Sequence, residues 1–355
     1  MASKRVVLGM SGGTDSSVSV LLLQDAGYEV VGVTFRFGEE MDEEALSEVK
    51  DLAQRMGIEH HIIDAREEFQ RTVVDYFVNE YMAGRTPVPC LVCNNRMKWR
   101  LLEQKANELG IAWISTGHYA QIQEVDGIRY VVKGVDEMKD QSFFLWGLSQ
   151  SVLSKIVLPL GQYEKSQIRK IAADRGYLKV ATRRDSMGVC FCPGDYRTFL
   201  KNHISIGSEV IRPGDFVDEQ GTYLGRHNGY PFYTVGQRRG LGVQARTPLY
   251  VKAVSPENNQ VVLSSAQGLQ CDTMELRDWN VPSMKDLQTK VIVRYRYERS
   301  YVKAKVEMLP NGNLIVRFDS SVMGVAPGQA ACFYDGDRVV GGGSLYRRGA
   351  NCRFL

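Results

Sequence analysis

The chain has 355 residues, of which 44% are hydrophobic and 24% charged, and its formal net charge is +3. That length predicts two or three domains, and the composition favours neither a disordered nor a membrane class. No apolar run approaches the roughly 18 residues a membrane helix needs, and Met1-Ala2-Ser3-Lys4-Arg5 leads straight into a short strand rather than a signal-peptide core, so a cytoplasmic protein is expected.

In chain order, the apolar run 6–10 predicts a strand and 16–24 an amphipathic helix stopping near Gly27. Residues 30–35 read as a second buried strand, 43–56 as a charged helix and 60–64 as a third strand. Helices around 69–82 and 98–109 precede a strand at 112–116. This alternation predicts an α/β fold with a doubly wound parallel sheet, ligands sitting beyond the carboxyl ends of its strands. After about residue 205 the texture changes to short β-branched runs separated by Gly, Pro and Asn. Segments 290–297, 303–308, 314–318 and 330–334 look like strands of a small antiparallel barrel. The expected domains are a catalytic one at 1–200, a central β-rich one at 201–270 and a C-terminal β-barrel at 271–355.

Ser11-Gly12-Gly13-Thr14-Asp15-Ser16-Ser17 falls between the first strand and the first helix. There, unpaired backbone N–H groups and the helix dipole favour an anion. Two glycines let the backbone approach phosphates, Ser11, Ser16 and Ser17 can donate hydroxyl bonds, and Asp15 could hold Mg²⁺ beside them. The Walker A lysine is missing, so the loop looks like the PP-loop of enzymes that adenylate a substrate and release pyrophosphate.

The seven cysteines form an odd set, which a static disulfide framework in a reducing compartment does not explain. Cys90 and Cys93 make a C-x-x-C, Cys190 and Cys192 a C-x-C, and Cys271, Cys332 and Cys352 stand alone as expected core or surface thiols. Sulfur insertion needs a sulfur carrier and a second thiol that cleaves the carrier's S–S bond.

Together with the PP-loop, the segments Thr86-Pro87-Val88-Pro89-Cys90-Leu91-Val92-Cys93, Thr116-Gly117-His118-Tyr119, Lys139-Asp140-Gln141-Ser142, the stretch around Cys190, Gly236-Gln237-Arg238-Arg239-Gly240-Leu241-Gly242 and Pro327-Gly328-Gln329 resemble the bacterial tRNA-specific 2-thiouridylase family, nearly end to end. The resemblance implies that ATP is held by Gly9, Met10, Ser11, Gly12, Gly13, Thr14, Asp15, Ser16, Phe35 and Gly117. It implies that a wobble uridine in tRNAs for Glu, Gln and Lys is adenylated on its C2 oxygen. Cys190 would bear a persulfide, Cys93 would attack it, and the transient Cys93–Cys190 disulfide would need a reductant. A cysteine desulfurase or sulfur-relay protein is the implied donor. Val88, Pro89, Cys90, His118, Lys139, Asp140, Gln141, Arg296, Tyr297 and Gln329 would meet the target base or the tRNA, which the central β-rich domain at 201–270 would also contact. The alternation in Arg294-Tyr295-Arg296-Tyr297 agrees with RNA contact, and a wobble base must in any case be splayed out of its stack. For Gly236 to Gly242 a plain glycine-rich turn and phosphate positioning by its arginines both stay open.

The family has Asn-Pro-Asp where this chain has Val88-Pro89-Cys90. Cys90 could replace the acid as a polar or thiolate group. Alternatively Cys90, Cys93 and Cys190 could ligate an Fe–S cluster, or these three with Cys192 a zinc ion. Competing functions are another PP-loop enzyme acting on a different tRNA base, and a degenerate RNA-binding or redox-sensing protein.

Overall fold

The computed structural model describes residues 4–38, 41–185, 188–204, 211–296 and 301–348. They divide into two compact units, the first comprising the described residues within 1–73, 90–191 and 337–339 and the second those within 74–89, 192–336 and 340–355.

The first unit is built on a five-stranded parallel sheet: β1 (Lys4–Gly9), β2 (Tyr28–Arg36), β3 (Glu59–Asp64), β4 (Trp113–Thr116) and the two-residue β7 (Ile156–Val157), in the order β3-β2-β1-β4-β7. Val6, Val7 and Leu8 of β1 are fully buried, as a central parallel strand with both faces covered requires. Helix α1 (Thr14–Asp25) follows β1, and Val18, Val20 and Leu23 join Val6, Leu8 and Val30 in one core cluster. Helix α2 (Glu43–Arg55) starts at Asp42, whose carboxylate accepts from Ala45 N at 2.8 Å, and sets Val49, Leu52 and Ala53 into the same cluster. Because β2 and β4 flank β1 on opposite sides, the chain reverses its winding direction there. The crevice of an open α/β sheet therefore opens beside the loop after β1.

Two features depart from the expected elements. The helix expected at 69–82 is interrupted, with α-helical turns at Arg66–Phe69 and Asp75–Met82 joined by a π-helical stretch at Gln70–Val74. After β4 comes an antiparallel hairpin, β5 (Ala120–Val125) and β6 (Ile128–Lys133), which the α/β alternation did not foresee. Its Asp126-Gly127 turn has both residues in the left-handed region (φ 50° and 77°), the geometry a two-residue hairpin prefers.

In the second unit, β8 (Gly214–Val217), β9 (Tyr223–His227), β10 (Tyr250–Ser255) and β11 (Gln260–Ser264) form one sheet over Phe216, Tyr230, Val251, Val261 and Leu263. Six further strands, β12 (Gln270–Asn280), β13 (Val291–Arg294), β14 (Tyr301–Met308), β15 (Leu314–Met323), β16 (Ala330–Asp335) and β17 (Arg338–Arg348), close into an antiparallel barrel through the β12–β17 pairing. Closure leaves no open edge. Cys332 is buried there outside any disulfide, whereas Cys271, expected to stand alone, is disulfide-bonded. Cys352 and Tyr297 lie outside the described residues.

Candidate active site

The expected phosphate loop occupies the switch point. Met10 is buried and its backbone is consumed, N–H donating to Val33 O (2.8 Å) and C=O accepting from Thr34 Oγ1 (2.6 Å), which anchors the loop to β2. Gly12 has φ +71°, and a Cβ there would fall 2.6 Å from Val49 Cγ2, so both conformation and space demand glycine. Ser11 and Ser16 face each other across the loop (Oγ···Oγ 3.3 Å), and Ser16 Oγ also accepts from Ser11 N–H at 3.1 Å. Ser17 Oγ is turned back onto Gly13 O (2.8 Å), and Thr14 Oγ1 is spent on Val180 O (2.7 Å), leaving Thr14 its backbone N–H for a phosphate. Gly117 packs so tightly on the first turn of α1 that a Cβ would lie 2.9 Å from Ser16 N and 3.0 Å from Asp15 C.

Asp15 Oδ1 accepts from Tyr119 OH (2.7 Å) and from Lys165 Nζ (2.6 Å). Lys165 also meets Asp185 Oδ1 at 2.9 Å, and Asp185 takes Lys139 (2.6 Å) and Arg169 (2.7 Å) as well. Burial alone would raise the Asp185 pKa, but hydrogen bonds and charge from Lys139 and Lys165 outweigh it and hold the carboxyl at about 2. Lys165, Arg169 and Asp185 escaped sequence reasoning. Lys165 begins the helix Lys165–Asp174 behind a Glu164/Gln167 capping box, an ordinary helix start in the sequence.

The loop bearing Cys190 is tied to this site at both ends. Asp185 holds one end through Lys165 to Asp15. At the other, Phe191 packs edge-on against Phe69 (centroids 5.6 Å apart), Phe69 stacks on Phe37 (4.9 Å) and Phe37 on Phe35 (5.5 Å), at the end of β2. Cys190 itself is exposed and is not in a disulfide.

Cys93 opens a π-helical turn, Cys93–Lys98, before the helix Trp99–Glu108. Such wide turns pair residues five apart and recur at functional sites, and here the turn sets Lys98 on the side of Cys93. Burial pushes the Cys93 thiol up and the Lys98 charge pulls against it. Cys90 is likewise raised by burial, opposed by Lys98 and reinforced by Cys93. Asn94 Nδ2 donates to Cys90 O (2.9 Å), while Asn94 Oδ1, both amide atoms of Asn95 and Trp99 Nε1 are buried with no hydrogen-bond partner among the described residues. His118 is buried, bonded through Nδ1 to Thr116 Oγ1 (2.6 Å) and stacked on Trp99. Desolvation, helped by Lys98, lowers its pKa to about 3, so it is neutral.

Of the expected RNA contacts, Asp140, Gln141, Arg296 and Gln329 are each hydrogen-bonded within their own unit. Asp140 is buried, its carboxylate accepting from Gly134 N, Ser142 N and Ser142 Oγ, and Gln141 Oε1 accepts from Tyr119 N (3.1 Å). Arg296 donates to Gly324 O, and Gln329 Nε2 to Thr86 O (3.1 Å), bracing the segment that carries Val88 and Pro89. Among the described residues no three His, Cys, Asp or Glu side chains are grouped to hold a metal ion. The Fe–S and zinc options for the cysteines therefore have no support, and none of Cys90, Cys93, Cys190 and Cys192 is in a disulfide.

A phosphate loop after β1 at the switch point, with no Walker lysine, defines an ATP-using enzyme of the PP-loop class. Family profiles match along the chain: a tRNA methyl transferase HUP domain at residues 4–194, a tRNA methyl transferase PRC-barrel domain at 197–265 and an aminomethyltransferase beta-barrel domain at 271–345. The tRNA-specific 2-thiouridylase MnmA 2 of Phocaeicola vulgatus is 49% identical over 347 residues, covering 97% of this chain and 98% of its own. MnmA 1 of Bacteroides fragilis is 48% identical, covering 97% of both chains. A solved 4-thiouridine synthetase in complex with RNA and ATP overlaps 51% of this chain and 43% of its own at 21% identity and a TM-score of 0.39. The chain belongs to the tRNA-specific 2-thiouridylase family and is a tRNA-thiolating PP-loop enzyme. Among the described residues no helix is long and apolar enough to cross a membrane.

Proposed function

We propose that the enzyme thiolates C2 of the wobble uridine in tRNAs of the Glu, Gln and Lys type, with 1–200 as the catalytic domain, 201–270 as a tRNA-contacting domain and 271–355 as a C-terminal β-barrel. The observation that carries this reading is the double anchoring of the Cys190 loop on the ATP site through Asp185 and Phe191. An amide-like carbonyl oxygen is a poor leaving group. ATP, held by Gly9 to Ser16 with Phe35 and Gly117 alongside, activates it: the C2 oxygen attacks the α-phosphorus and pyrophosphate leaves. The remaining Asp15 oxygen is a fitting ligand for Mg²⁺ beside the phosphates.

A persulfide on Cys190 then attacks C2 through its outer sulfur, and AMP departs with the former carbonyl oxygen. The Cys93 thiolate attacks the Cys190 sulfur, the carrier S–S bond breaks, the sulfur stays on the base and a Cys93–Cys190 disulfide forms. Two electrons from a thiol reductant reset the pair, and a cysteine desulfurase or relay protein reloads Cys190. Val88, Pro89 and Cys90 line the approach of the base. His118, Lys139, Asp140, Gln141, Arg296, Tyr297 and Gln329 contact the tRNA or shape the loops that do.

The test is mass spectrometry of nucleosides from unmodified tRNA incubated anaerobically with protein, ATP, Mg²⁺ and a persulfide source. 2-Thiouridine is expected from the wild type and from neither Cys93→Ser nor Cys190→Ser. Thiolation persisting in either variant would remove that residue from the mechanism.

A further inference from the structure

The Gly236 to Gly242 motif has no part in the chemistry above, yet its geometry is built. Thr234 to Gln237 closes a turn (Gln237 N to Thr234 O, 3.0 Å), fastened to β10 by Gly236 N to Val251 O (2.8 Å) and Val251 N to Gln237 O (2.9 Å). The Gln237 side chain is consumed at both ends, Oε1 accepting from Thr234 N (3.3 Å) and Nε2 donating to Arg239 O (2.9 Å). Gly236, Gly240 and Gly242 all have left-handed φ (90°, 75° and 68°), and Leu241 is buried as the anchor. Three glycines, one glutamine and one leucine thus hold Arg238 and Arg239 outward.

Both arginines are exposed, and neither has an acidic partner among the described residues. With Gln237, Gly240 and Arg197 they line an open cleft of about 760 Å³. Arg197 is fixed by Nε to Phe232 O (3.0 Å) and is partly offset by Asp195 at 3.4 Å, so the net charge of the cleft comes from Arg238 and Arg239. Two guanidiniums without counter-ions on a braced turn suit bidentate contact with phosphate oxygens. The lining has no aromatic side chain, and its one amide, Gln237, is held in the turn at both its oxygen and its nitrogen.

We infer that this cleft clamps the sugar-phosphate backbone of the tRNA, positioning it without reading its sequence. The inference rests on the proposed tRNA substrate and adds a second, non-catalytic RNA site to it. The experiment measures tRNA affinity as a function of salt, together with steady-state thiolation, for the wild type, R238A/R239A and R238K/R239K.

The double alanine variant is expected to bind unmodified tRNA roughly tenfold more weakly, with a log–log salt slope shallower by about 2, one per lost phosphate contact. Its KM for tRNA rises while kcat at saturating tRNA and the melting temperature hold, and the lysine variant recovers part of the salt slope. Unchanged affinity and slope in a folded double variant would overturn the clamp. So would normal tRNA binding with slowed sulfur delivery from a persulfide-loaded donor protein, which would make the cleft a protein-docking site. If instead the wild type itself bound no tRNA, the failure would lie with the proposed substrate.

Discussion

Lys165 Nζ lies 2.6 Å from Asp15 Oδ1 across 150 residues of sequence, and it touches Asp185 at 2.9 Å on the other side. One ammonium therefore joins the phosphate loop to the start of the Cys190 segment. Replacing Lys165 by Met removes the ammonium from the Asp15 carboxylate at the proposed phosphate site, while Asp185 keeps Lys139 and Arg169. The KM for ATP is expected to rise about tenfold or more, the scale of one short-range charge interaction, with Lys165→Arg intermediate. Pyrophosphate release at varied ATP measures it, and an unchanged KM in the Met variant would remove Lys165 from the ATP site.

Gly117→Ala forces a Cβ to within 2.9 Å of Ser16 N, a backbone atom that cannot swing away. The variant is expected to lose about 1–3 kcal/mol of stability by overpacking and to lose ATP turnover disproportionately, because the strain falls on the first turn of α1. Thermal melts with and without ATP separate the two effects.

His118 is buried neutral, with its pKa lowered to about 3 from the ordinary 6.5. The unfolded chain binds the proton first, so the stability contributed by burying the neutral ring is complete above pH 6.5. It is lost as pH falls from there toward 3. At pH 5 the loss is roughly 2 kcal/mol. Urea denaturation of the wild type and His118→Phe at pH 7.5 and 5 should show the wild type losing more stability on acidification.

Burial raises the Cys93 thiol above its ordinary value of 9.0, and Lys98 opposes that rise. The attacking species is the thiolate. Single-turnover sulfur transfer is therefore expected to climb with pH through and beyond pH 9. Lys98→Met should push the limb higher and lower the neutral-pH rate on the order of tenfold. A flat profile would mean that another step limits transfer or that Cys93 does not attack.

The parallel sheet and the phosphate loop were legible in the sequence because their signals are local: a buried run, two glycines and hydroxyls, then helical periodicity. The barrel was legible from its short β-branched runs. The hairpin at Asp126-Gly127 carried its own turn signal, but it sat inside an α/β alternation that masked it. The π-turn at Cys93 was hidden, since a helix widened by one residue keeps nearly the same periodicity. By itself the sequence supplied the candidates for chemistry: a loop for phosphates, Cys93, Cys190 and a run of basic groups. Only the tertiary structure decided which of them meet, placing Lys165 and Asp185 at Asp15, linking Phe191 to Phe35 through two rings, and spending Asp140, Arg296 and Gln329 on neighbouring backbone and side chains. Charge pairing and ring packing act across space, between positions whose separation along the chain leaves no periodic trace.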